Sequence, residues 1–344
     1  MKTGIITFHD TTNYGANLQA YSLFKAIKSL GYDCEIINYK CENIIRRELP
    51  FINIHGSLRN FIGSLIRYPK RAVKHFNLLQ FIKRYEQISH KIYTRKNIAK
   101  ANSVYDNFIV GSDILWNLSI SGNDFSYFLD FADDRHGKFS YATSIGEGWT
   151  ESEKAGIKKY FSSFNEVAVR EKEAVEWVNE LYEKKAKLVC DPTMLIKPKE
   201  WEFFIKKQNY GKYVLVYLPN EKCLKDARTF SKANNLKLVE LKFYDSIEIF
   251  LSKIKYAEYI FTGSYHGFLF SLYFHTNIMF YNFQDTSRMR FLAEKFNIEN
   301  HDATNILEIK EIPEINWDFI DSVREEFRES SLDYLKGILK NDLS

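Results

Sequence analysis

Short apolar runs alternate with longer amphipathic stretches along the chain. Gly4–Phe8 is apolar and β-branched, as a strand requires, and Cys34–Tyr39 repeats the pattern. Between them Leu18, Tyr21, Phe24, Ile27 and Leu30 recur at intervals near three and four, which predicts a helix over about Ala16–Leu30 that Gly31 terminates. Strand, helix, strand in that order implies a parallel pair. Further strands are expected at Asn107–Val110, Phe139–Ala142, Val167–Val169 and Lys187–Val189, then at Tyr213–Tyr217, Leu236–Glu240, Tyr259–Thr262 and Asn277–Phe280. A last helix is read over about Trp317–Leu339. The break near Pro192–Lys199 divides the chain into a domain of residues 1–195 and one of 196–344, whose terminal helix is free to pack back on the first. The expected fold is α/β, with two Rossmann-like domains facing a cleft.

Charge changes this picture in one place. The whole chain carries +4, yet Cys41–Lys100 holds thirteen Lys and Arg against three Glu, a net of +10. These bases interleave with Phe51, Ile52, Leu58, Phe61, Ile62, Leu65, Ile66, Tyr68, Phe76, Leu79 and Phe81. The first reading is a solvated helical insert at about 41–100 whose apolar face packs on its domain. The second is a basic amphipathic surface for an anionic membrane or a lipid-pyrophosphate acceptor. No recognised nucleic-acid motif accompanies the charge, so no nucleic-acid partner is expected.

Cysteine usage and the N-terminus set the compartment. Cys34, Cys41, Cys190 and Cys223 form no C-x-x-C pair and have no His at ligand spacing, so reduced thiols are expected rather than zinc or disulfides. The first eight residues read as a strand rather than a signal peptide, and no run of about 18 apolar residues occurs. A cytoplasmic protein is expected, with peripheral contact at the inner face of the plasma membrane left open.

Three clusters at strand ends carry candidate chemistry, where ligands bind in parallel α/β sheets. The first is His9-Asp10 with Asn13-Tyr14-Gly15-Ala16-Asn17-Leu18-Gln19. Asn13, Asn17 and Gln19 offer polar groups to sugar hydroxyls, and Gly15 admits a ligand to the backbone; a tight turn with an Asn cap explains the same string equally well. The second is Gly111-Ser112-Asp113-Ile114-Leu115-Trp116. Here Asp113 reads as an acid or base, or as a helix cap, and Trp116 as a stacking face or as core. The third is Thr262-Gly263-Ser264-Tyr265-His266-Gly267. A helix start disfavours the protonated imidazole, so His266 is expected to be neutral until an anion binds. Arg170, Arg288 and Arg290 follow strands and together suit a compact polyanion. No clustered carboxylates suggest Mg²⁺, so no metal is expected.

Phe8–Ala20, Ile109–Trp116, Val169-Arg170-Glu171, Asp191-Pro192-Thr193 and Thr262–Gly267 occur in an order that resembles the polysaccharide pyruvyltransferase family, from residue 4 to about residue 297. That resemblance implies a GT-B-like fold, phosphoenolpyruvate as co-substrate with no other cofactor, and a sugar hydroxyl pair as acceptor. The acceptor belongs to a bacterial capsular, exopolysaccharide or cell-wall glycan precursor, such as a lipid-linked oligosaccharide, and the product is a pyruvate ketal. By position, Arg170 and His266 match the family's donor-binding Arg and His, and Arg288 falls at a basic position that is Lys in some members. Ser264 and Gly267 join the donor set; Asn13, Tyr14, Gly15, Asn17, Gln19 and Trp116 form the acceptor or cleft set; His266, Asp113 and Asp10 are the acid and base candidates. Family members carry Asp where this chain has Gly263. The competing readings are a GT-B glycosyltransferase using a sugar nucleotide and a catalytically silent glycan-binding protein.

Overall fold

The computed structural model describes residues 1–50 and 57–340, and divides the chain into two compact units. One is Met1–Ile196 joined by the chain from Glu326 onward; the other is Lys197–Glu325. In the first unit β1 (Lys2–Ile6), β2 (Asp33–Tyr39), β3 (Ile88–Tyr93), β4 (Asn107–Val110) and β5 (Gly137–Ser140) form a parallel sheet in the order β3-β2-β1-β4-β5. Thr3–Ile6 pair with Asn107–Val110, and every residue of β4 is buried. A strand covered on both faces has no solvent side to mark with polar residues, which is why β4 reads as a continuous apolar run. A second parallel pair, β6 (Ala168–Val169) and β7 (Lys187–Leu188), adjoins this sheet through bridges from Phe139 to Glu166 and from Thr143 to Val169.

α1 (Tyr14–Ser29) returns from β1 to β2, capped by the Asn13 side chain and followed by Gly31 at φ 88°. Only a residue without a Cβ adopts that turn cheaply. The basic stretch departs from expectation. It contains the helix α2 (Leu58–Tyr85), but also β3, the edge strand of the sheet. The alternation in Ile88-Ser89-His90-Lys91-Ile92-Tyr93 is the strand signal, hidden inside a block read for its charge. Residues 51–56, with Phe51 and Ile52, lie outside the described residues.

In the second unit β8 (Tyr213–Tyr217), β9 (Lys237–Glu240), β10 (Tyr259–Thr262) and β11 (Asn277–Phe280) form a parallel sheet ordered β11-β10-β8-β9. α3 (Tyr265–Tyr273) follows β10 and α4 (Ser287–Phe296) follows β11. Val214, Val216, Phe230, Phe261 and Met279 pack in this unit's core. The last helix, α5 (Trp317–Lys340), begins in the second unit and finishes in the first. There Ser331 Oγ accepts from the Cys190 amide at 2.8 Å and Tyr334 donates to the Ser140 carbonyl at 2.9 Å.

All four cysteines are buried free thiols. Burial pushes Cys34, Cys190 and Cys223 up to about 12, and Cys41 in the same direction. Among the described residues no helix is long and apolar enough to cross a membrane, and no group of three His, Cys, Asp or Glu is placed to hold a metal ion.

Candidate active site

The loop from β1 into α1 is held by its own side chains. Asn13 Oδ1 accepts from the Gly15 amide at 2.9 Å, so this residue is the helix cap. Asn17 is fully buried and donates through Nδ2 to the carbonyls of Thr11 (3.2 Å) and Asn13 (2.8 Å). Gln19 is fully buried and donates to Asp191. In this geometry Asn17 and Gln19 shape the loop from beneath rather than facing an acceptor sugar from its surface. Among the described residues, the buried Asn17 Oδ1 and Gln19 Oε1 have no hydrogen-bond partner.

Asp10 is flanked by basic side chains from two other elements. Lys40, after β2, bonds one carboxylate oxygen, and His75 Nε2 of α2 lies 3.0 Å from the other. Burial alone would raise the Asp10 pKa; the bonds to His75 and Lys40 outweigh it and hold the carboxyl below its ordinary value. A carboxylate so held is a weak base, which argues against Asp10 in the acid and base role. On the same helix as His75, the Lys74 ammonium sits 4.4 Å from the ring centroid of Tyr14, which is itself buried. Burial pushes Lys74 down to about 8 despite the nearby Glu48. Lys40, Lys74 and His75 were missed in the sequence. The signal was there: Lys74 and His75 interrupt the face of α2 that continues into Leu78, Phe81 and Ile82.

Next along the sheet edge, Gly111 follows β4 at φ 154°, with a cis peptide to Ser112. A Cβ at Gly111 would stand 2.0 Å from the Tyr141 carbonyl oxygen, so only glycine fits. Asp113 adopts φ 72°, a left-handed conformation that Asp tolerates better than most residues, and its Oδ1 accepts from the Ile114 amide at 2.9 Å. It is partly exposed. Trp116 is core: it is fully buried, stacks on Phe128 at 5.6 Å and donates to the Tyr127 carbonyl. Fully buried and with its N–H bonded, it has no stacking surface for a sugar.

Arg170 follows β6 and is 2% exposed. Its Nη1 donates to Asp191 at 2.9 Å and its Nε to Glu171 at 3.2 Å, while Ser144 and Gln19 add donors to the same two carboxylates. Asp191 also caps the following turn through Thr193. One buried guanidinium therefore serves two buried carboxylates. Opening such a cluster would strand a buried charge. In this geometry Arg170, through Asp191, ties β6 to α1 and the turn at Pro192.

The second unit's edge is built differently. Ser264 caps α3 and accepts from the Gly267 amide at 3.2 Å, so these two donor candidates satisfy each other. A Cβ at Gly267 would lie 2.7 Å from Thr262 Oγ1, which explains the glycine by packing. His266 is buried, its ring edge-to-face with Tyr265 at 5.1 Å. Tyr265 and Arg288, whose guanidinium lies 5.6 Å from the Tyr265 ring, help wall a cavity of about 330 Å³. Gly263, Asn220, Asn282 and Thr286 also line it; Arg288 is its one charged residue and no carboxylate contributes. Arg290, two positions on, pairs with Asp285 on the surface. A small anion fits the balance of charge in this cavity.

The model of a family described as polysaccharide pyruvyl transferase matches residues 13–282. No curated protein matches the chain. Among solved structures, a protein described as a UDP-N-acetylglucosamine 2-epimerase from Listeria monocytogenes superposes with a TM-score of 0.50 at 10% identity, covering 98% of this chain and 95% of its own. The UDP-GlcNAc 2-epimerase of Methanocaldococcus jannaschii gives 0.47 at 13% identity over 98% and 99%. An α-glucosyltransferase in complex with UDP and DNA gives 0.45 at 9% identity over 97% and 95%. At such identities the likeness is one of fold, the two-unit α/β arrangement of GT-B type. The match over most of the length, including all three strand-end clusters from Asn13 onward, shows that the chain belongs to the polysaccharide pyruvyl transferase family.

Proposed function

We propose that this protein transfers the pyruvate unit of phosphoenolpyruvate to two hydroxyls of a sugar in a bacterial glycan precursor, forming a cyclic ketal and releasing phosphate. The observation that carries this is the family match over residues 13–282. The cavity beside α3 and α4 supports it, because its single charge is the cation Arg288.

The chemistry sets the requirements. A proton added to the donor's methylene carbon makes a methyl group and leaves an oxocarbenium-like centre at C2. One sugar hydroxyl attacks that carbon and gives up its proton. The C2–O bond to phosphate then breaks with its electron pair, and the second hydroxyl closes the ring, losing its proton in turn. Of the two hydroxyl protons, one replaces that spent on the methylene and the other leaves with phosphate. The step needs a cation for the donor's carboxylate or phosphate, a proton donor and a base. In this reading Arg288 holds an anionic group of the donor, and His266 contacts the phosphate or supplies the proton. Asp113 is a better base than Asp10, whose oxygens Lys40 and His75 already occupy. Arg170 is a positioning residue.

Incubating the protein with phosphoenolpyruvate and a panel of lipid-linked oligosaccharides, read by phosphate release and product mass, tests the proposal. Phosphate release with the mass of a ketal is expected. Nucleotide release from a sugar nucleotide, with no turnover of phosphoenolpyruvate, would replace it with a glycosyltransferase.

A further inference from the structure

α2 has two faces with different occupants. Ser64, Lys74, Leu78, Phe81 and Ile82 are buried against the first unit. On the other side Ile62, Leu65, Ile66, Val73 and Phe76 are exposed, Ile66 to 71% and Phe76 to 59%. At 3.6 residues per turn these five and Pro69 fall within a single face about 100° wide. That is an apolar stripe about four turns long pointing away from the core, and isolated exposed apolar residues do not line up in this way. The charges around it are of one sign. Leu58–Tyr85 contains seven Lys and Arg and no Asp or Glu. Exposed Arg59, Lys70 and Arg84 run along one border of the stripe and exposed Lys83 lies on the other.

We propose that this outward face of α2 docks onto an anionic lipid bilayer, with the stripe entering the interfacial layer and the bordering bases meeting lipid phosphates. Charge selects this occupant over a second copy of the chain. A two-fold contact would set the stripe against itself and bring the same bases face to face with no acid to answer them. The proposal stands independently of the transferase reading, since it concerns only the outward face.

Co-sedimentation of the full chain with vesicles tests it. The bound fraction should be small on phosphatidylcholine, rise at least tenfold when a third of the lipid is phosphatidylglycerol, and fall as salt is raised. Ile66→Glu with Phe76→Glu should reduce binding tenfold or more with the unfolding midpoint unchanged, and the uncharged Ile66→Ser should act in the same direction. Arg59→Gln with Lys70→Gln should weaken binding and flatten its salt dependence. Failure to bind phosphatidylglycerol vesicles, or binding that ignores the apolar substitutions, overturns the proposal. So does a dimer in sedimentation equilibrium that Ile66→Glu with Phe76→Glu dissociates, because the face would then belong to a second copy.

Discussion

At the end of β6, Arg170 meets two carboxylates and is sealed from solvent. At the start of α4, Arg288 stands half-buried on a cavity whose lining holds no carboxylate. Both arginines follow a parallel strand, and by position alone both read as anion contacts. Their surroundings separate them. In the first unit the basic side chains at the strand ends are answered within the protein: Arg170 by Asp191 and Glu171, Lys40 and His75 by Asp10. In the second, the cavity lining sets a cation, and no carboxylate, beside the space a ligand would fill. A cation already neutralised by buried carboxylates stabilises architecture, whereas one on an acid-free wall can contribute binding energy.

The sharpest way to break that comparison is Arg170→Met. It strands Asp191 and Glu171 together, so a loss of about 3–5 kcal/mol in guanidinium unfolding is expected. A loss under about 1 kcal/mol, with donor affinity abolished, would move Arg170 into the donor site. Arg288→Met should do the reverse. Stability should stay within about 0.5 kcal/mol, while the thermal shift given by phosphoenolpyruvate should need ten to a hundred times more ligand, matching about 1.5–3 kcal/mol of charge-assisted bonding.

Lys74→Met sharpens the contrast through pH. The Lys74 ammonium is disfavoured in the fold, releasing its proton near 8 against 10.5 for the free side chain. Between those values the unfolded chain holds the extra proton, so this residue's contribution to stability rises with pH. The gain from Lys74→Met should therefore be greatest near neutral pH and shrink toward pH 10, reduced throughout by the lost contact with the Tyr14 ring. The smallest effect belongs to Asp10→Asn. Asp10 stabilises the fold above its unfolded value of 3.8, and that contribution disappears as pH falls through its lower folded value. The variant should flatten the acid limb of the stability curve by about 1 kcal/mol or less.

Much of the fold was legible because parallel strands buried on both faces announce themselves as apolar runs. Asn107–Val110, Tyr213–Tyr217, Tyr259–Thr262 and Asn277–Phe280 fall where the pattern puts them. β1 and β5 end two residues before the pattern does. Thr7-Phe8 and Tyr141-Ala142 stay buried after leaving the ladder, and burial without strand geometry looks the same in a sequence. β3 was masked by charge. The site was legible as places along the chain, since Gly and Asn mark turns into helices. Direction was not. Asn17, Gln19, Trp116 and Arg170 lie where predicted but face inward, and which way a side chain points depends on partners such as Asp191, 172 residues from Gln19. Gly263 has a packing constraint the sequence could not show: a Cβ there would stand 3.0 Å from the Leu218 carbonyl oxygen.

The four buried thiols give each unit its own chemical reporter. A thiol held near 12 and out of contact with water scarcely reacts with an alkylating reagent at neutral pH, so modification must wait for local opening. Cys34, Cys41 and Cys190 lie in the first unit and Cys223 in the second. The order in which the four become labelled would read out which half of the molecule loosens first, and whether a bound anion or a lipid surface holds one half closed longer than the other.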